Sequence, residues 1–164
     1  NSDVPVLNIK LNDSEVLEGK KILKDIVKND KKTICIYTNA TGNKCYSEEW
    51  WNTFYTRLKN EYENEFNIIE MLPIENVSKI NFKATHFYSK DIREMGAIIN
   101  NTAIFIAADN GVMHLASASE TPTIGFFSVT NENIYAPYGN GSMALNTNTT
   151  TIDDWIAEIG RILK

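Results

Sequence analysis

Three short runs limit the architectures open to this chain. Thr33-Ile34-Cys35-Ile36-Tyr37, Ala103-Ile104-Phe105-Ile106-Ala107 and Thr123-Ile124-Gly125-Phe126-Phe127 are rich in β-branched and aromatic residues and lack an alternation of polar with apolar positions. A strand with one wet face alternates, so these runs predict strands covered on both faces, as in a parallel sheet flanked by helices.

Helical patterns lie where such a sheet needs them. Val16, Leu23, Ile26 and Val27 fall on one side at helical spacing, with Glu15 three residues after Asn12 in a capping-box pattern, which predicts a helix from Asp13 to Lys28. Ser47 is placed to cap a second helix with Glu48 and Glu49 in its first turn and Trp51, Phe54, Tyr55, Leu58 and Tyr62 as its buried stripe. Asn67 to Leu72 is a strand candidate and Ala84 to Phe87 a weaker one. A helix from Lys90 to Asn100, with Ser89 as its expected N-cap, precedes the strand Ala103 to Ala107, and another begins near Gly111. From Ser128 to Asn148 the chain is rich in Asn, Gly and Ser and is read as loop, with a short strand at Ser142 to Leu145. Thr151 caps a last helix, Ile152 to Leu163, burying Trp155, Ile156, Ile159, Ile162 and Leu163. Strands alternating with helices in this way predict an α/β fold, a Rossmann-like three-layer sandwich with a mostly parallel sheet.

At 164 residues, with 43% hydrophobic and 23% charged side chains, the chain has enough material for one self-supporting core. Its net charge of −5 argues against a nucleic-acid surface, which needs a broad basic footprint. No apolar run approaches the ~20 residues needed to span a bilayer, and Asn1-Ser2-Asp3 does not open a secretory signal, so a cytoplasmic location is expected. Cys35 and Cys45 lack metal-ligand spacing and are not expected to form a structural disulfide.

In open parallel sheets ligands bind beyond the carboxyl ends of the strands. That rule points to two loops. After the strand at Ala107 comes Ala108-Asp109-Asn110-Gly111-Val112-Met113-His114-Leu115. A helix starting at Gly111 would aim free backbone N–H groups at the strand ends, an anion site in outline, with His114 in its first turn able to donate to a phosphate oxygen. Asp109 and Asn110 are equally explained as helix caps. After the first strand, Thr38, Asn39, Thr41 and Lys44 would bring hydroxyls and a cation to the same space. His86 has no patterned partner and is read as structural.

Asp109-Asn110-Gly111-Val112-Met113-His114-Leu115-Ala116, then Thr121-Pro122-Thr123-Ile124-Gly125-Phe126-Phe127-Ser128-Val129-Thr130 and Pro137-Tyr138-Gly139, resemble the C-terminal half of the heptosyltransferases, glycosyltransferase family 9. Members typically show Asp-Ser/Thr-Gly-x-x-His-Leu, then a Pro-Thr segment, then Pro-x-Gly. The stretch from Thr38 to Lys44 followed by Trp50-Trp51 is similar to that family's first-strand segment.

The resemblance implies a B-type glycosyltransferase in which this domain binds a nucleotide-sugar donor, typically ADP-heptose, and a separate N-terminal domain binds a lipopolysaccharide acceptor. On this basis residues 31–164 are expected to form the donor-binding domain and residues 1–30 an interdomain connection with its helix. By motif, Asp109, Asn110, Gly111 and His114 would line the donor diphosphate, with Lys44 and Thr41 meeting it from the first loop. Asp109, a carboxylate, would fix the turn or meet a sugar hydroxyl, and Glu75 is a candidate for the ribose. No cofactor and no metal are implied, because a helix N-terminus, a cation and hydroxyls would neutralise the leaving diphosphate. The catalytic base would belong to the N-terminal domain, so this half is expected to be inactive alone; the full protein would be cytoplasmic or peripheral at the inner membrane. Asn110 replaces the usual Ser or Thr, Ser128 the common Gly, and Val129, Asn131 and Glu132 parts of the usual turn. These departures suit an alternative, an inert Rossmann-like binding or scaffolding module. A hydrolase using His114 and Asp109 lacks a nucleophile with a positioned base, and no Gly-x-Gly-x-x-Gly follows the first strand as a dehydrogenase would need.

Overall fold

The computed structural model describes residues 9–40, 46–108, 111–128 and 141–164. Its elements run α1 (Asp13–Val27), β1 (Lys32–Tyr37), α2 (Glu48–Tyr62), β2 (Phe66–Met71), β3 (Thr85–Phe87), α3 (Ile92–Asn100), β4 (Ile104–Ala108), α4 (Gly111–Ala118), β5 (Thr123–Phe127), β6 (Met143–Asn146) and α5 (Ile152–Leu163). The six strands form one sheet in the order β3-β2-β1-β4-β5-β6, and every pairing is parallel. The α/β, Rossmann-like fold class expected from the strand patterns is therefore the observed one.

Side chains leave a strand on alternate faces, so each inner strand feeds two cores. Ile34, Ile36, Ile104, Ile106, Ile124 and Phe126 point to one face, where α2 brings Trp51, Phe54 and Leu58 and α5 brings Trp155, Ile156 and Ile159. Cys35, Tyr37, Ile69, Met71, Phe105 and Phe127 point to the other, covered by Leu23 of α1, Ile98 and Ile99 of α3, and Met113 and Ala116 of α4. The first core holds an aromatic cluster. The ring of Phe126 meets Trp50, Phe54 and Trp155 edge-on with centroids 5.1, 5.3 and 5.2 Å away. Such pairs add about 0.5–1.5 kcal/mol each beyond area burial. Wholly buried Trp51 has an Nε1–H with no acceptor among the described residues, a cost of ~1–3 kcal/mol that this packing offsets.

Helix ends follow the local chemistry. The Asn12 side chain accepts the Glu15 N–H at 2.8 Å and the Glu15 carboxylate accepts the Asn12 N–H at 3.0 Å, the reciprocal capping box expected there. Lys28 closes α1 in the left-handed region (φ 60°) with its N–H on the Lys24 carbonyl. Ser47 and Thr151 cap α2 and α5 as expected. The N-cap of α3 is a correction: Asp91, not Ser89, accepts the Arg93 and Glu94 N–H groups. Ser89 is buried, accepts the Asp91 N–H and donates to the Glu94 carboxylate, so it builds the turn before the helix. The helix correspondingly starts at Ile92 rather than Lys90.

Helix α1 lies directly on α3. A Cβ on Gly19 would stand 2.4 Å from the Ala97 carbonyl oxygen, so the two backbones approach as only glycine permits. The junction is held at its edge by Arg93, whose Nε and Nη2 donate to the two Glu15 carboxylate oxygens at 2.6 and 2.7 Å, and by Asn101, which donates to the Val16 carbonyl at 3.0 Å. No helix among the described residues is long and apolar enough to cross a membrane.

Candidate functional site at the β1–β4 seam

The strand order reverses between β1 and β4, because β2 and β3 continue to one side and β5 and β6 to the other. At such a switch point the loops leaving the two adjacent strands diverge to opposite faces and open a crevice. In register, Tyr37 of β1 pairs with Ala107 of β4. The segment that begins at Thr38 and the segment that leads into Gly111 therefore depart side by side. They are the two loops the sequence singled out.

Helix α4 starts at Gly111 and places His114, half-buried, in its first turn. The N-terminus of α4, the positive end of its dipole, faces the strand ends. The helix is drawn onto the sheet by Met113 and Ala116, both wholly buried, and its small residues Ser117, Ala118 and Ser119 are buried too. Ser119 returns its hydroxyl to the Leu115 carbonyl at 2.8 Å, and the Thr121 hydroxyl binds the Ile99 carbonyl at 2.9 Å, tying the end of α4 to the end of α3.

On the β1 side, the Tyr37 phenol is pushed above its ordinary range by burial, against a hydrogen bond with Asn39 and with the charge of Glu75 acting in the same direction as burial. Glu75 is exposed in the connection after β2 and thus stands close to the exit of β1. The structure brings Gly111, His114 and Glu75 to the same edge of the sheet. Thr41, Lys44, Asp109 and Asn110 lie outside the described residues, as does the Pro137-Tyr138-Gly139 motif. His86, at β3, is exposed, its Nδ1 3.2 Å from the Ala84 carbonyl and its ring edge-on to Phe82 at 5.3 Å. Cys35 is buried in β1, and burial pushes its thiol well above the usual range, which suits a core side chain rather than a nucleophile. No group of three His, Cys, Asp or Glu side chains among the described residues is arranged to hold a metal.

Glu70 is a residue the sequence patterns passed over. It lies in β2, wholly buried, and accepts the Thr38 hydroxyl on Oε2 and the Ser78 hydroxyl on Oε1, each at 2.7 Å. Burial raises its pKa while these two hydrogen bonds pull it down. Thr38 in turn accepts the Lys79 N–H at 2.9 Å, and Ser78 accepts the N–H groups of Ile80 and Phe82 at 3.1 Å each. One charged residue in the apolar run Ile68-Ile69-Glu70-Met71-Leu72 was its only sequence signal, and it is the same signal an ordinary exposed edge position gives.

Residues 78–154 match the model of glycosyltransferase family 9 (heptosyltransferase). No curated protein matches the chain in sequence. Among solved structures, the fold is similar to a glycosyl transferase family 9 protein from Veillonella parvula DSM 2008 (TM-score 0.78, 12% identity, 96% of this chain and 53% of that one). It is also similar to the ADP-heptose lps heptosyltransferase II of E. coli (TM-score 0.74, 12% identity, 99% and 56%). A third likeness is to the C-terminal CMP-Kdo binding domain of WaaA from Acinetobacter baumannii (TM-score 0.51, 8% identity, 92% and 91%). The chain thus spans about half the length of the two family 9 structures and nearly the whole of the isolated WaaA domain. The chain is therefore similar to the heptosyltransferases of glycosyltransferase family 9, in sequence over residues 78–154 and in fold over nearly its whole length.

Proposed function

We propose that this chain is the nucleotide-sugar donor-binding half of an inverting glycosyltransferase, with ADP-heptose or another nucleoside diphosphate sugar as its donor. The observation that carries this reading is the position of α4: its N-terminus and His114 stand at the β1–β4 seam, inside the stretch that matches the family model. The first-turn N–H groups and His114 would hold the diphosphate, with Thr41, Lys44, Asp109 and Asn110 completing the contact and Glu75 meeting the ribose. That arrangement stabilises negative charge as it develops on the leaving nucleoside diphosphate. The likeness to an isolated CMP-Kdo binding domain supports a donor half that stands as a unit. On this reading residues 31–164 are the donor domain and residues 1–30 its connection to an acceptor-binding domain. That domain would supply the catalytic base and bind a lipopolysaccharide-type acceptor at the cytoplasmic face of the membrane, so the chain alone would not turn over.

The test is calorimetric titration of the chain with ADP, GDP and UDP, each against its bare nucleoside, in the wild type, Lys44→Ala and His114→Ala. Preferential binding of one diphosphate, weakened in both variants, is the expected result. Equal affinity in all three proteins refutes the donor site as drawn. Absence of any nucleotide binding leaves the inert binding or scaffolding module, which the replacements at Asn110 and Ser128 would suit.

A further inference from the structure

A carboxylate in a strand interior without an ion pair is costly, and an apolar side chain of similar size would serve the core better. Glu70 is in that position: among the described residues its hydrogen-bond partners are two hydroxyls, and the charge of His86, registered opposite it in β3, is a weaker pull on the carboxylate than either. What the carboxylate does hold is the connection from β2 to β3. Ser78 already accepts two backbone N–H groups, so its hydroxyl must donate, and Oε1 of Glu70 is the acceptor it finds. Phe82, one of those two donors, sits in the left-handed region (φ 58°) beside Asn81 (φ 57°), backbone that a non-glycine residue keeps only when its surroundings fix it. Lys79 is gripped from both sides, its N–H by Thr38 and its carbonyl by the Asn52 side chain of α2 at 3.2 Å.

The same network therefore ties the exit of β1 to α2 by way of Lys79. Thr38 is the first residue after β1, and Asn52 lies in the second turn of α2. We propose that Glu70 is a positioning residue of the donor site: through Thr38 it fixes the backbone at the exit of β1, beside the β1–β4 seam. The proposal rests on the donor-site reading above. Glu70 touches no ligand in this scheme; it acts through Thr38.

The experiment compares wild type, Glu70→Leu, Glu70→Gln and Thr38→Val in calorimetric titrations. The ligands are whichever of ADP, GDP and UDP the wild type takes, and its bare nucleoside, at a temperature where all four proteins are folded by circular dichroism. Leu fills the site without a buried charge, and Gln can accept from Ser78 while donating to Thr38. The expected result is a loss of ~10-fold in diphosphate affinity for Glu70→Leu and Thr38→Val, with the nucleoside affinity held within about 2-fold and Glu70→Gln close to wild type. A purely structural role would move both ligands together or neither. Unchanged diphosphate affinity in Glu70→Leu and Thr38→Val, or an equal loss of diphosphate and nucleoside, overturns the proposal while leaving the donor site standing. A wild-type chain that binds no nucleotide overturns the donor reading itself. Thr38→Val keeps the carboxylate and decides the matter alone if Glu70→Leu does not fold.

Discussion

Replacing Gly19 by alanine tests the close approach of α1 to α3. The added methyl would stand 2.4 Å from the Ala97 carbonyl oxygen, 2.5 Å from its carbonyl carbon and 2.8 Å from its Cβ, whereas carbon contacts settle near ~3.5–4.0 Å. Two of these three atoms are helix backbone and cannot swing away, so α1 must retreat from α3 by about 1 Å, a gap that forfeits a quarter to a half of each contact it opens. Overpacking of this kind costs ~1–3 kcal/mol, and a backbone clash belongs at the upper end. Alanine in a helix interior recovers about 1 kcal/mol over glycine. The net expectation is a loss of about 2 kcal/mol, or about 4–8 °C in Tm for a chain of this size. Gly160→Ala is the control. Its methyl would meet one atom, the Tyr62 hydroxyl at 2.8 Å, which can yield by giving up its 3.1 Å bond to the Ile156 carbonyl. That loss of ~1 kcal/mol roughly cancels the helical gain. Urea denaturation of the three proteins reads both. A Gly19→Ala variant as stable as wild type, or a Gly160→Ala variant equally damaged, would refute the argument from close approach.

Glu70, raised above its ordinary value of 4.5 by burial, binds its proton more tightly in the folded chain than in the unfolded one. Its charge therefore weighs on stability increasingly as pH rises above that value, and the urea midpoint of Glu70→Gln relative to wild type should climb as pH rises above 4.5. Glu15 behaves oppositely. The Arg93 guanidinium and the Asn12 N–H hold its carboxyl down to about 2, so its contribution is present above pH 4.5 and is lost as pH falls from there toward 2. Carboxyl NMR should show it titrating near 2 in wild type and higher in Arg93→Ala, though still below 4.5 because the Asn12 N–H remains, with the gap narrowing in salt. Cys35, buried in β1, should react with a thiol reagent in a Cys45→Ser background only as fast as the chain unfolds. Alkylation as quick as that of a free thiol would contradict its burial.

Unbroken apolar runs marked strands covered on both faces, and the sheet is covered on both. Ile34 and Ile36 pack with Trp51, Phe54 and Leu58, while Cys35 packs on the opposite side. The two loops of the candidate site were legible for the same reason, since a strand's end and a helix's start are both local signals. Strand order is not local. That β4 lies against β1 rather than β3 depends on the lengths and packing of every crossover, and no window of sequence contains it. Ser89, the expected cap, stands two residues before Asp91; the carboxylate took the helix while the hydroxyl was drawn inward to Glu94. Glu70 was hidden because its meaning lies in Thr38 and Ser78, which no pattern along β2 connects to it.

The seam between β1 and β4 is where the two groups of three strands join the sheet among the described residues. A nick in the turn after α3, near Asn101, would leave β1, β2 and β3 in one fragment and β4, β5 and β6 in the other. Each piece would carry one of the two loops and neither a whole crevice. On the proposed donor reading, reassembly of such fragments and capture of a nucleotide would be one thermodynamically linked event, with ligand pulling the halves together by mass action. A domain built this way is its own complementation reporter, because a ligand at its switch point can be held only when both halves are in register.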